Sequence, residues 1–356
     1  MATLKDSNFN PHKILVIDFG QLGDVVLSLP ALRAVRKRFP HARLTVAVGK
    51  PGAEIVKLAG VANEVLAVDR VGLRDGSKIQ SLWRIFGLVR DMRRAKYDFV
   101  IDLHSLSETN LLGFLSGAPK RLFSRRPPRS WDFLSNFEPR PPIESDHRQR
   151  HLVDRYLDVL LPLGVKNADR EPRIKSRPSD DKAIDALLKK AKADAGAPLV
   201  GLFPGAGHPT RRWPVEKFAE LADYFIRNDK LRVVLFLGPE EAPLSRQLKA
   251  SFPKGTVVLD NLTVAQLAAA QARLAVFVSN DTGPMHIAAA VGTPVVVVLH
   301  KRAPRSYLPI GNRNTFISSA EISEISVDEV YTAARALFTS ARADGLFVDE
   351  AAGATS

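Results

Sequence analysis

The chain has 356 residues, 45% hydrophobic and 25% charged, the composition of a globular protein with room for two domains. It contains no cysteine, which excludes disulfides, thiolate metal sites and a cysteine nucleophile, and no apolar run approaches the ~20 residues needed to span a bilayer. The net charge of +13 is one-sided: residues 1–178 hold 31 Lys/Arg against 19 Asp/Glu, a net of +12, and residues 179–356 hold 20 against 19. A basic half calls for an anionic partner, whether nucleic acid, a membrane surface or a phosphorylated substrate, although a partnerless basic surface has the same composition. The polar start, Met1 to Pro11, carries no apolar signal region, so the expected location is cytoplasmic.

Strand and helix signals alternate along the first half. Lys13 to Phe19 predicts a buried strand and Asp24 to Phe39 a helix, with Val25, Leu29, Leu32 and Val35 on one face and Arg36-Lys37-Arg38 at its end, where cations suit the helix dipole. Leu44 to Val48 and Glu64 to Val68 predict strands, Ser81 to Ala95 a helix, and Asp98 to Leu103 a fourth strand. Such alternation argues for an α/β protein with mostly parallel sheets covered on both faces. Ser124 to His147 breaks the pattern with five prolines, four arginines, Trp131, Phe133 and Phe137, and reads as a long loop. His151 to Leu163 returns to helix, and Lys166 to Asp180 reads as a linker.

The second half restarts with a strand at Leu199 to Phe203 and a helix at Val215 to Ile226. Strands follow at Leu231 to Leu237, Thr256 to Leu259, Ala275 to Val278 and Pro294 to Leu299, with helices at Thr263 to Gln271 and Pro284 to Ala290. The expected division is a basic domain over 1–175, a second domain over 176–340 and a loose tail over 341–356, the two domains similar and facing one another.

Three clusters carry chemistry. Gly20-Gln21-Leu22-Gly23-Asp24 joins the first strand to the first helix, with Asp24 at the helix start. There it is either an ordinary cap or a carboxylate able to take a proton from an attacking hydroxyl. The run is not the G-x-G-x-x-G dinucleotide fingerprint, so NAD is not indicated. After the first strand of the second half, Pro204-Gly205-Ala206-Gly207 is followed by Arg211, Arg212 and Trp213. Small residues leave room for a ligand, and guanidinium groups bind phosphate bidentately. Asn280-Asp281-Thr282-Gly283-Pro284-Met285-His286 lies between a strand and a helix, where Thr282 and Gly283 offer backbone N–H groups to a phosphate and Asp281 stands at the strand's carboxyl end. Glu241, after Gly238-Pro239, either meets a ribose or opens a helix, and His104 ends the fourth strand as a candidate substrate contact.

Together these motifs resemble glycosyltransferase family 9, the heptosyltransferases of lipopolysaccharide inner-core synthesis. The resemblance runs from about Lys13 to Leu337 and rests on G-x-x-G-D ending at Asp24 with Ser28-Leu29-Pro30-Ala31, on P-G-A at 204–206 with R-R-W-P, and on N-D-T-G-P-M-H at 280–286. It implies a GT-B fold of two Rossmann-like domains and metal-independent, inverting transfer, commonly from ADP-heptose. It further implies Asp24 as catalytic base, with Gly205, Ala206, Arg211, Arg212, Glu241, Asp281, Thr282, Gly283 and His286 on the nucleotide-sugar donor. Arg211 stands where the family commonly has lysine, which keeps the charge and changes its geometry. Gly23, His104, Arg125, Arg126 and Arg129 fall to the acceptor side. No metal and no cofactor are implied, the nucleotide sugar being a substrate.

An anionic lipopolysaccharide core acceptor matches the +12 half, with peripheral contact at the inner membrane and no nucleic acid. A sugar-nucleotide epimerase of the same form would need no polyanionic acceptor. A non-catalytic binding protein for nucleic acid or anionic glycolipid would have no use for Asp24 and Asp281.

Overall fold

Continuous apolar runs ending in a polar residue, KILVID and FVID in the first half and LAVFVSN in the second, become strands buried along nearly their whole length, as parallel strands covered on both faces require. The computed structural model describes residues 9–69, 72, 78–144, 149–193, 197–239 and 245–343. The chain divides into two units: Met1–Pro172 with Arg305–Tyr307, and Arg173–Pro304 with Leu308–Ser356.

The first unit runs β1 (Lys13–Asp18), α1 (Leu22–Arg38), β2 (Arg43–Gly49), α2 (Lys50–Ala59), β3 (Glu64–Val68), α3 (Lys78–Ala95), β4 (Phe99–Asp102), α4 (Ser107–Leu115), β5 (Lys120–Phe123) and α5 (Leu152–Asp158). Its sheet is parallel throughout, in the order β3-β2-β1-β4-β5. The chain leaves β1 toward β2 and returns on the other side at β4. The carboxyl ends of β1 and β4 therefore form the switch point where open α/β sheets bind ligands. On one sheet face Leu15, Ile17 and Val100 pack with Met92 of α3, Leu112 of α4 and Leu134.

The second unit runs α6 (Pro178–Lys190), β6 (Leu199–Phe203), α7 (Val215–Arg227), β7 (Arg232–Leu237), α8 (Ser245–Ser251), β8 (Val257–Asp260), α9 (Val264–Gln271), β9 (Leu274–Asn280), α10 (Gly283–Ala290), β10 (Val295–His300), β11 (Asn314–Ser319) and α11 (Val327–Ala343). The sheet order β11-β10-β9-β6-β7-β8 puts its switch point between β6 and β9, with Phe203 in register with Ser279. Trp213 and Phe218 pack edge to face beneath Val330 and Ala334 of α11, closing one side of the core.

Several expectations are amended. The segment read as a linker already opens a helix at Pro178, whose ring suits a first turn, and the units divide at Pro172. The helix expected to Leu163 stops at Asp158, and a 3₁₀ turn containing Pro162 follows. The loop from Ser124 is knitted to β5: Asn136 Oδ1 accepts from the Arg121 amide, Ser135 Oγ donates to the Arg121 carbonyl, and Phe137 packs 5.3 Å from Phe99 and 5.4 Å from Phe9. Among the described residues no helix is long and apolar enough to cross a membrane.

Candidate active site

In the first unit, α1 begins at Leu22, so Asp24 is the third helical residue rather than the cap. Its Oδ2 accepts from the Gln21 amide at 3.0 Å, which fixes the carboxylate over the first turn. Gly23 is half-buried within the same turn. Gly20 leaves the space this requires, since a Cβ there would lie 2.5 Å from the Asp24 Cβ and 3.1 Å from Asp18 Oδ1.

Two carboxylates that the sequence reading passed over sit beside it. Asp18 closes β1, fully buried, and accepts from the Gly20 amide at 3.0 Å. Asp102 closes β4, paired in register with Ile17, and accepts from the Ser105 amide and from Asn110 Nδ2, both at 2.8 Å. Burial, reinforced by the charge of Asp18, pushes the Asp102 carboxyl up to about 7 against the bonds it accepts. The signal was present: Val16-Ile17-Asp18 and Val100-Ile101-Asp102 are the same triplet at the ends of neighbouring strands.

His104 follows β4 with its Nδ1 3.9 Å from Asp18 Oδ1. Ser105 behind it holds a left-handed φ of 43°, kept there by its amide and hydroxyl bonds to Asp102, and so redirects the chain just past the histidine. Tyr156 of α5 is also buried against this group. Its phenol is held well above the usual range, first by burial and then by the charges of Asp18 and Asp24.

The arginines expected on the acceptor side do not act as one set. Arg126 Nη1 donates to the His104 carbonyl at 2.6 Å and Nε pairs with Glu144 at 2.8 Å. Glu144 also pairs with the buried Arg155. Arg125 Nε donates to Asp132 Oδ2 at 3.1 Å. Both are half-buried within these pairs, and of the three only Arg129 is exposed.

In the second unit the glycine-rich loop after β6 and the Asn280–Gly283 segment after β9 are joined by one side chain. Asn280 is fully buried; its Oδ1 accepts from the Trp213 amide at 2.9 Å, and its Nδ2 donates to the Pro204 carbonyl at 2.7 Å. Buried amides of this kind satisfy backbone groups that would otherwise be stranded. Asn280 was outside the expected set, although an amide ending an apolar strand was its mark.

Gly205 and Ala206 are buried in this loop. Arg212 turns back on it, donating through Nε (3.0 Å) and Nη2 (2.8 Å) to the Ala206 carbonyl, and so fastens the loop. Arg211 has a side chain 58% exposed, with Nη1 3.8 Å from Asp281 Oδ2, an open ion pair that an anionic ligand could displace. Burial raises the Asp281 carboxyl above its ordinary range, and Arg211 pulls it partly back. Thr282 precedes α10 in extended conformation and makes no side-chain capping bond, with Pro284 in the first turn. Gly283 thus opens a helix suited to an anion. His286 is buried further along α10, and Glu241 lies outside the described residues.

The family model described as glycosyltransferase family 9 (heptosyltransferase) matches residues 85–334. The chain belongs to glycosyltransferase family 9. Among its curated relatives, lipopolysaccharide heptosyltransferase 3 of Escherichia coli is 24% identical over 281 residues, covering 77% of this chain and 79% of the relative. Lipopolysaccharide heptosyltransferase 1 of Pseudomonas aeruginosa is 27% identical over 300 residues, covering 80% and 77%. Among solved structures, a family 9 glycosyltransferase from Veillonella parvula superposes with a TM-score of 0.83 at 24% identity, over 93% of this chain and 98% of that one. E. coli heptosyltransferase WaaC, solved with ADP-2-deoxy-2-fluoro heptose, gives 0.72 at 22%, over 90% and 98%. The family 9 chain is thus a glycosyltransferase of GT-B fold, and neither an epimerase nor a non-catalytic binder is favoured.

Proposed function

We propose that this family 9 enzyme transfers a heptose, with inversion, from ADP-heptose to the inner core of a lipopolysaccharide. The observation that carries the reading is the meeting of Arg211, Asp281 and the α10 start at the β6/β9 switch point, which offers a cation, a sugar-hydroxyl acceptor and helix amides to one nucleotide diphosphosugar. The relatives' names supply the heptose and the acceptor, and the WaaC structure supplies the adenine nucleotide.

In this reading Asp24 removes the proton from the attacking acceptor hydroxyl, the oxygen attacks the anomeric carbon, and ADP leaves with the bonding electrons. Arg211 and the Gly283 amide meet the charge that develops on the leaving diphosphate, so no metal ion is required. Asp281 holds donor hydroxyls, and Gly205 and Ala206 let the nucleotide approach the backbone. The enzyme works on the cytoplasmic side, peripheral to the inner membrane that carries its acceptor.

Incubation with ADP-heptose and heptose-deficient lipopolysaccharide tests this. The expected result is ADP release matched by a gain of one heptose in the mass of the acceptor. ADP release without that gain, or no release, overturns it.

A further inference from the structure

The first unit exposes more large apolar side chains than a solvated surface explains. Leu82, Trp83 and Phe86 on α3 are 68%, 69% and 60% exposed; Phe114 on α4 is 44%, and Trp131 and Phe133 are 45% and 68%. Single exposed apolar residues are ordinary, but these are grouped. Trp83 and Phe86 touch edge to face at 6.2 Å, and Trp131 lies 6.4 Å from Phe133. Their elements share one side of the sheet, because Met92 of α3, Leu112 of α4 and Leu134 meet in a single cluster beneath them.

The charge on this side is matched to the same purpose. Along α3 the spacing puts Leu82, Trp83 and Phe86 on one arc and brings Arg90, Arg93 and Arg94 onto that arc two turns later. The helix holds five basic residues and one acidic. Arg129 is exposed beside the Trp131–Phe133 pair.

We propose that the outer face of α3 and α4, with the 131–133 turn, docks on an anionic lipid bilayer. Indole and phenyl rings settle at the headgroup boundary while guanidinium groups meet lipid phosphates, so the two halves of the arc act on one surface. A second copy of the chain is a poor fit, since an isologous contact would bury the arginines of both copies, and α3 offers one acidic residue against five basic. The inference gives the peripheral location proposed above a specific surface, and its test needs neither sugar nucleotide nor saccharide, so it stands or falls apart from heptosyl transfer.

The test is co-sedimentation of the full chain with vesicles of equimolar phosphatidylcholine and phosphatidylglycerol, beside pure phosphatidylcholine, while following tryptophan emission. Trp213 is buried, so a blue shift reports Trp83 and Trp131. Binding to the anionic vesicles with a blue shift, weakened by salt, is expected. Trp83→Ser with Phe86→Ser should lower partitioning about tenfold or more, and Arg90→Gln with Arg94→Gln should lower it on anionic vesicles only. These side chains are exposed, and an unchanged thermal transition shows that the variants fold. Absence of vesicle binding overturns the proposal, as does binding that neither variant changes. A wild-type dimer that the Trp83/Phe86 variant turns into monomer also overturns it, by assigning the face to a second copy.

Discussion

The Trp213 amide donates to Asn280 across 67 residues of sequence, and the same side chain donates to the Pro204 carbonyl. One buried amide therefore sets the distance between the glycine-rich loop and the Asp281–Gly283 segment. Asn280→Ala strands a buried donor and a buried acceptor, at a cost of at least ~2 kcal/mol. Denaturant unfolding should show that loss, and donor affinity should fall with it. Full stability and unchanged donor affinity in this variant would remove Asn280 from the site's framework.

Gly20 and Asp24 test the base. Asp24→Ala should lower turnover by about 10²–10⁴-fold with donor affinity nearly intact, as measured in single-turnover transfer and ADP-heptose titration. Gly20→Ala should do the same more mildly, because its Cβ would fall 2.5 Å from the Asp24 Cβ and 3.2 Å from Asp24 Oδ2, forcing that side chain to shift. If Asp24→Ala kept near-normal turnover, the assignment would fail.

Asp281 and Arg211 should separate by ligand. Asp281→Ala is expected to weaken ADP-heptose but hardly ADP, and Arg211→Ala to weaken both, since both carry the diphosphate. Calorimetric titration of each variant with each ligand decides this, and equal losses throughout would contradict it.

Activity should persist in excess chelator, because Arg211 and the α10 start are positioned to meet the diphosphate charge. Loss of transfer restored by Mg²⁺ or Mn²⁺ would refute that reading.

Asp102 gives a pH signature. Its folded carboxyl is raised to about 7 from 3.8. As pH climbs from about 4 to 7 the unfolded chain releases this proton while the native protein keeps it, so this group's contribution to stability is lost over that window. Asp102→Asn cannot titrate, but its amide meets the Asn110 Nδ2 donor and starts less stable. The gap in melting temperature between wild type and variant should therefore narrow as pH rises from 4 to 7. A constant gap would show that Asp102 is ionised throughout.

The sequence announced whatever depends on pattern along the chain. Apolar strands ending in polar residues, Pro284 in a first turn and glycines beside Asp24 are local features, and the structure places them as read. It could not show pairing across the fold. Arg125, Arg126 and Arg212 look alike as cations in a sequence, and only packing reveals that Asp132, Glu144 and the Ala206 carbonyl already hold them. Asp18 and Asp102 were hidden for a similar reason, since each looks like a strand ending until β1 and β4 lie side by side.

The return of Arg305–Tyr307 to the first unit makes the two halves inseparable by a single cut. Tyr307 covers the guanidinium of Arg155 at 5.1 Å, and Arg155 is the buried end of the Glu144–Arg126 chain that reaches the His104 carbonyl. A chimera joining residues 1–172 to a relative's second half inherits that relative's residues at this bend. Recombination within the family is therefore constrained at a point over a hundred residues beyond the apparent seam, and a productive swap carries the 305–307 segment along with residues 1–172.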